Sequence, residues 1–271
     1  MRLAASNIAW SADDDAAAAE ILASLGFEGI EIAPTRVWPS PLATSAAERL
    51  AFRREWEARE LPVVAMQALV FGRPDLVLFG EPAAREALAT HLRGMIDLGA
   101  DLGAGTLVFG SPKNRLRGSL GFEQALEIAA PFFRALGEYA AARGTALCVE
   151  ANPPEYGCDF VTRAEEAADL VTRAASPGFG LHLDAGGMHL TGGAESSIRR
   201  LAAGARHFHV SEPGLAPVGS SSADHRSLAA ALAAVGYRGW ASVEMRTPEG
   251  PRPLEVLERA LERAAAAYRR R

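Results

Sequence analysis

TALCVEANPP, residues 145–154, is a short apolar run that ends in one carboxylate, Glu150, followed at once by Asn152 and the prolines Pro153 and Pro154. A carboxylate placed where a buried strand gives way to a rigid loop is costly unless something uses its charge. Three later runs repeat the pattern. FGLHLD (179–184) ends in Asp184, RHFHVSE (206–212) carries His209 near its end, and WASVEMR (240–246) carries Glu244 near its end. Two Glu, one Asp and one His at the carboxyl ends of four consecutive strands suit one divalent ion, provided the strands lie side by side in a parallel sheet. The oxygen-rich set points to Mn²⁺, Mg²⁺, Co²⁺ or Zn²⁺, with a lean toward the harder ions.

Working outward, the same alternation of strand and helix fills the chain. LAASNIAW (3–10), GIEIAP (29–34), PVVAMQALVF (62–71) and GTLVFGSP (105–112) read as four earlier strands, which with residues 145–154, 179–184, 205–211 and 239–245 make eight. Between them, Ser11 and Asp14 have capping-box spacing for a helix ending at Gly26, Ser45 and Glu48 for one reaching Arg59, and Thr162 and Glu165 for another. Further helices are predicted over 82–98, 122–143, 224–235 and 254–268, the last with a basic end, Arg269 to Arg271. Strand–helix alternation means a parallel sheet, and eight units in 271 residues match a closed (β/α)8 TIM barrel in a single domain, 1–271. An open doubly wound sheet normally carries a glycine-rich turn after its first strand, and SNIAWSAD has no glycine.

Composition narrows the function classes. The chain is 49 % hydrophobic and 23 % charged with a formal net charge of −5, which fits a soluble globular protein and argues against phosphate-gripping nucleic-acid binding. Its two cysteines, Cys148 and Cys158, lack metal-ligand spacing and form no disulfide framework. A cytoplasmic protein is expected, with neither a signal peptide nor a membrane span. A homodimer is compatible with the sequence.

Each residue also has an ordinary explanation. A Glu after a strand often caps a helix, and Asp184 before AGG suits a turn. His207 and His209 flank Phe208, and one of the pair is expected to face the barrel interior while the other faces the helices. His182 is expected to point outward or into packing. Further candidates for substrate contact are Gln67 on the third strand, Lys113 and Arg115 in the basic loop after the fourth, Glu155 beside Tyr156 after the fifth, His189 after the sixth and Arg246 after the eighth. Glu31 and Arg36 are expected to pair with each other or to line the pocket, and Trp10 and Trp38 to wall a sugar face or pack in the core.

SNIAW, GIEIAP, VEANPPEYGCDFVT, LHLDAGG, HFHVSE and GYRGWASVEMR together resemble the xylose isomerase-like sugar phosphate isomerase/epimerase superfamily, and within it the ketose 3-epimerase and hydroxypyruvate isomerase group. The resemblance covers nearly the whole chain. It implies a metal held by Glu150, Asp184, His209 and Glu244, and it selects His209 over His207. It also implies that Glu150 and Glu244 act as the acid/base pair on a sugar or sugar phosphate whose carbonyl and adjacent hydroxyl bind the metal, through an enediolate. Proton return to the opposite face gives an epimer, return to the neighbouring carbon an isomer, and loss of water a dehydratase acting on an inosose or keto-glycoside. Two departures stand out. The D-x-x-H often found after the sixth strand has Gly187 at its last position, and the Arg six residues beyond the strand-seven His is replaced by Leu215. An apurinic endonuclease needs additional early histidines, and none precedes His91. A non-catalytic sugar-binding protein is disfavoured by the intact ligand set.

Overall fold

Eight parallel strands close on themselves in chain order: β1 (Arg2–Ser6), β2 (Gly29–Ile32), β3 (Val63–Met66), β4 (Thr106–Phe109), β5 (Ala146–Glu150), β6 (Phe179–Asp184), β7 (Ala205–Ser211) and β8 (Trp240–Glu244). Closure comes from β8 pairing in parallel with β1, Ala4 opposite Ser242. The molecule is seen here as a computed structural model, which describes residues 1–269; Arg270 and Arg271, the last of the predicted basic end, lie outside the described residues. Surrounding the barrel are α1 (Asp15–Ser24), α2 (Pro34–Val37), α3 (Ala46–Ala58), α4 (Pro82–Leu102), α5 (Phe122–Ala142), α6 (Ala164–Ala174), α7 (Ala185–Thr191), α8 (Ala194–Leu201), α9 (His225–Ala234) and α10 (Pro253–Tyr268). Among the described residues no helix is long and apolar enough to cross a membrane. Both cysteines are free and buried.

Strands buried on both faces need apolar residues facing the helices, and here Leu107, Leu147, Leu183, Phe208 and Val243 supply them, each at most 1 % exposed. Full burial of such a side chain contributes about 1.5–3 kcal/mol, so this outer layer holds the barrel closed. The interior is thereby left free for polar residues at the alternate positions.

The local capping and strand-end signals are met unevenly. The Ser45 box forms: the Ser45 side chain accepts from the Glu48 N–H at 3.3 Å, and Glu48 accepts from the Ser45 N–H at 2.7 Å. At Ser11 no side-chain cap forms; a 3-10 turn covers Ala12–Asp14 and α1 starts one residue later. Thr162 finds Glu166 rather than Glu165 (2.6 Å from its backbone N–H), because Glu165 turns to Ser197 at 2.7 Å. The first strand stops at Ser6, where Asn7 swings its side chain to accept from the Ala33 N–H at 2.8 Å. The third stops at Met66, because Ala68 turns left-handed at φ 55°. Helices α7 and α8, broken by Gly192 and Gly193 at φ 77° and 75°, lie in a stretch where no helix was expected.

Candidate metal centre

Side chains two apart on a strand share a face, so FGLHLD sends His182 and Asp184 the same way and RHFHVS does so for His207, His209 and Ser211. All five point into the barrel. This corrects one expectation, since His207 and His209 both face inward; of the two alternatives for His182, outward or into packing, the second holds. The proof is contact across the interior, since Glu31 of β2 meets His207 and His209 of β7. Its carboxylate accepts from His209 Nε2 at 3.0 and 3.1 Å and from His207 Nε2 at 3.3 Å. Glu31 therefore does not pair with Arg36, which instead donates to the Trp10 carbonyl at 2.5 Å.

With Nε2 engaged, His209 turns Nδ1 toward the mouth. There it lies 3.1 Å from Glu244 Oε2 and 3.9 Å from Asp184 Oδ2. Glu150, His182, Asp184 and His209 each offer an atom within 4.8 Å of the others. Asp184 caps α7, accepting from the Gly187 N–H at 2.6 Å, and also accepts from the Ser211 hydroxyl. Glycine at 110 leaves Glu150 its present place, because a Cβ there would sit 2.2 Å from Glu150 Oε2 and push the carboxylate aside.

Three carboxylates this close repel one another, and burial compounds the cost. Burial, then Asp184 and Glu244, push the Glu150 carboxyl up to about 8; burial and Glu244 push Asp184 up to about 6. Burial disfavours a charged His209, yet the Glu31 and Glu244 carboxylates outweigh it and hold this imidazole well above its ordinary range. Burial likewise works against an ionised Glu31, and its interactions with His209 and His207 overcome it, so that carboxyl lies well below its usual range. His182 is driven well below the ordinary imidazole value by burial and by the two histidines beside it, so it is neutral. Its ring packs 4.1 Å from that of His209.

The residues present suit a divalent cation. The imidazole Nδ1 of His209 is buried with only the carboxylates of Glu244 and Asp184 beside it, while the carboxylates around it carry more negative charge than one imidazolium can balance. An ion bound by oxygen and nitrogen answers both conditions.

A cavity of about 310 Å³ opens above this cluster. Glu150, Asp184 and Glu244 line it together with Gln67, Asn152, Tyr156, Leu215 and Arg246. Of the remaining substrate-contact candidates, four lie elsewhere. Lys113 and Glu155 are exposed outside its lining, and His189 turns toward Ser222 at 3.4 Å. Arg115, only 1 % exposed, donates to the backbone carbonyls of Phe109 (3.4 Å) and Val161 (3.5 Å), and its charge opposes the rise in the Glu150 carboxyl from within the wall. The two tryptophans go to packing: Trp10 is buried with Nε1 on Asp15 at 2.7 Å, and Trp38 stacks at a tilt on Phe52 with ring centres 5.1 Å apart. A larger groove of about 520 Å³, lined by Leu42, Leu69, Phe71, His91 and Met95 among others, contains no carboxylate and lacks the chemistry.

Backbone strain marks the same mouth. Six described non-glycine residues adopt positive φ, and three of them, Ala68 (55°), Ser111 (33°) and Leu215 (58°), line the 310 Å³ cavity. Each such residue costs on the order of 1–3 kcal/mol and persists only where its surroundings hold it. Here Arg246 N–H donates to the Leu215 carbonyl at 2.9 Å, and Gly214 N–H donates to the Tyr156 hydroxyl at 2.9 Å, tying the β5, β7 and β8 loops into one rim.

A search of curated proteins found no match to this chain. Solved structures with the same architecture include D-psicose 3-epimerase from Clostridium cellulolyticum H10 with D-tagatose (TM-score 0.81, 16 % identity, covering 99 % of this chain and 98 % of that one). Another is 3-keto-D-glucoside 4-epimerase from E. coli (TM-score 0.78, 15 % identity, 96 % and 97 %). A third is the IolI protein holding a zinc atom (TM-score 0.74, 19 % identity, 98 % and 96 %). At these identities the likeness concerns the fold. The family model for the xylose isomerase-like TIM barrel matches residues 19–267, which takes in all but the first of the eight strands, and the chain belongs to that family.

Proposed function

We propose that this protein is a divalent-metal-dependent isomerase or epimerase acting on a small sugar or sugar phosphate, with the ion held by Glu150, Asp184, His209 and Glu244. The observation that carries the reading is the buried His209 Nδ1, 3.1 Å from Glu244 and 3.9 Å from Asp184, beneath a cavity lined by three carboxylates. When bound, such an ion supplies Lewis acidity to a substrate carbonyl and its neighbouring hydroxyl, which acidifies the C–H between them.

The chain supplies the proton handling. Glu150 ends β5 and Glu244 ends β8, three strands around the ring, so the two carboxylates approach a substrate from different sides of the cavity. One removes the proton from carbon and the other returns it, which inverts the centre when return comes from the opposite face. Asp184, fixed by Gly187 N–H and Ser211, has no freedom to swing into that role and serves as an anchor. Gln67, held to Ser6 Oγ at 2.8 Å, and Arg246 are the polar wall groups available to substrate hydroxyls. A ketose and a keto-glycoside are named for the similar structures, and a cavity of about 310 Å³ accepts a ligand of that size.

A metal-dependent dehydratase on an inosose or keto-glycoside is the second reading. It is favoured by the rim, where Leu215 lines the cavity and His189 points away from it, so the sugar contacts of the epimerase pattern are missing. Incubating Mn²⁺-loaded protein with a panel of ketoses and 3-keto sugars, followed by mass and chiral analysis, tests both. Epimers of unchanged mass support the first reading and loss of water the second. Metal content and turnover both unchanged in Glu244→Gln would overturn the site.

A further inference from the structure

Glu31 lies below the cavity, is fully buried, and belongs to none of the groups assigned above. Both its carboxylate oxygens are within hydrogen-bond distance of His209 Nε2, and one also reaches His207 Nε2. An imidazole that donates Nε2–H to a fixed carboxylate must present its other nitrogen, Nδ1, as the free lone pair when neutral. That nitrogen faces Glu244 and Asp184. We propose that Glu31, steadied by His207, is the positioning residue of the centre: it fixes the ring orientation and tautomer of His209 so that only Nδ1 is offered to the ion. The role rests on the reading of His209 as an ion ligand.

Three observations separate this from simple core filling. The bond crosses the barrel, joining residues 178 positions apart, so it is not a by-product of strand pairing. Glu31 accepts from both histidines of β7 and from neither hydrogen-bonding neighbour strand, and its register partners are Ser6 on β1 and Ala65 on β3. Finally, the nitrogen of His209 that it does not touch, Nδ1, is the one that meets the carboxylates of the cavity, 3.1 Å from Glu244 and 3.9 Å from Asp184. Carboxylates that orient a metal-bound imidazole in this way typically affect metal affinity by ten- to a hundredfold.

The experiment compares Mn²⁺ affinity, read from the free-ion EPR signal, in wild type, Glu31→Gln and Ser242→Ala. Ser242 stands opposite His209 in the β8 register, is equally buried and makes no hydrogen bond through its hydroxyl, so it controls for disturbance of the core. The expected result is an affinity for Mn²⁺ weakened about ten- to a hundredfold in Glu31→Gln, with Ser242→Ala near wild type and the circular dichroism of all three alike. Equal affinity in wild type and Glu31→Gln overturns this proposal alone; failure of wild type to bind Mn²⁺ overturns the ion reading and this proposal with it. A readout independent of any variant is the long-range ¹H–¹⁵N spectrum of Mg²⁺-loaded wild type. Protonated Nε2 on His209 supports the proposal, and protonated Nδ1 overturns it.

Discussion

Two buried glutamates each hold histidine in this molecule, and they end up differently. Outside the barrel, Glu212 accepts from the Gly219 N–H at 2.7 Å, from the Ser221 hydroxyl and from His225 Nε2 at 3.2 Å, while His225 Nδ1 meets the Tyr268 hydroxyl at 2.8 Å. Every polar atom of that pair has a partner. Inside, Glu31 is equally well supplied, but His207 keeps an unpartnered nitrogen, His182 has two, and His209 Nδ1 has only the carboxylates of Glu244 and Asp184. A buried polar atom without a partner costs about 1–3 kcal/mol. A closed network is therefore a fastening, and an open one beneath a carboxylate-lined cavity fits the proposed cation site. The contrast turns on completeness of hydrogen bonding, since residue types and burial are nearly the same.

That contrast can be broken. The largest effect is expected from Glu244→Gln, which should reduce turnover of an active ketose by about 10²–10⁴-fold with little change in melting temperature; retained turnover with lost stability would reverse the assignment. The complementary change, Glu212→Leu, orphans the donors of the outer nest and should cost about 3 kcal/mol, roughly 10 °C in Tm. Mn²⁺ affinity of the folded protein should stay as it was, and a parallel loss of affinity would erase the distinction between the two nests.

Gly110→Ala sharpens the inner half. The new methyl would meet Glu150 Oε2, and displacing that carboxylate by about 1 Å should lower turnover tenfold to a hundredfold while Tm changes only modestly. A kinetic assay beside a thermal melt separates the outcomes, and unaltered kinetics would mean that Glu150 has room to spare.

The smallest effect is in pH. The Glu150 carboxyl moves from 4.5 to about 8 on folding, so the folded state binds the proton more tightly. Its contribution to stability is full below the unfolded value and declines as pH rises from about 4.5 toward about 8. Asp184, raised to about 6, and the raised His209 act in the same direction. Protein stripped with EDTA should therefore melt several degrees lower at pH 8 than at pH 5, and Mn²⁺ should flatten the curve. The outer nest makes no such demand, because hydrogen bonds from His225 and Ser221 outweigh burial and hold Glu212 below the ordinary carboxylate range. A melting temperature that climbs with pH in the stripped protein would contradict the inner assignment.

The sequence foretold the barrel well because periodicity and strand–helix alternation are local signals that tertiary context did not override. Glu150, Asp184 and Glu244 were legible for a related reason, as carboxylates at the ends of apolar runs. His182, His207 and Glu31 were harder. The two-residue spacing that puts Asp184 inside also puts His182 there, and it puts His207 and His209 on one face, so the strand's own parity carries that signal. Glu31 was visible in GIEI, yet its partner lies across the ring, and no local rule connects positions 31 and 209. The lysine and arginine after β4 misled because a basic loop near a strand end looks alike whether it faces the mouth or, as with Arg115, is sealed into the wall.

The reach of the Glu31 contact has a consequence for assembly. During synthesis β2 emerges early and β7 late, so their pairing through the core must wait until nearly the whole chain is available, a long-range closure of the kind that folds slowly. Until then His209 has no carboxylate to orient it and the pocket has no floor. If the proposed ligand set holds, uptake of a cation would thus mark the end of folding, a checkpoint that a chain truncated before Glu244 of its eighth strand never reaches.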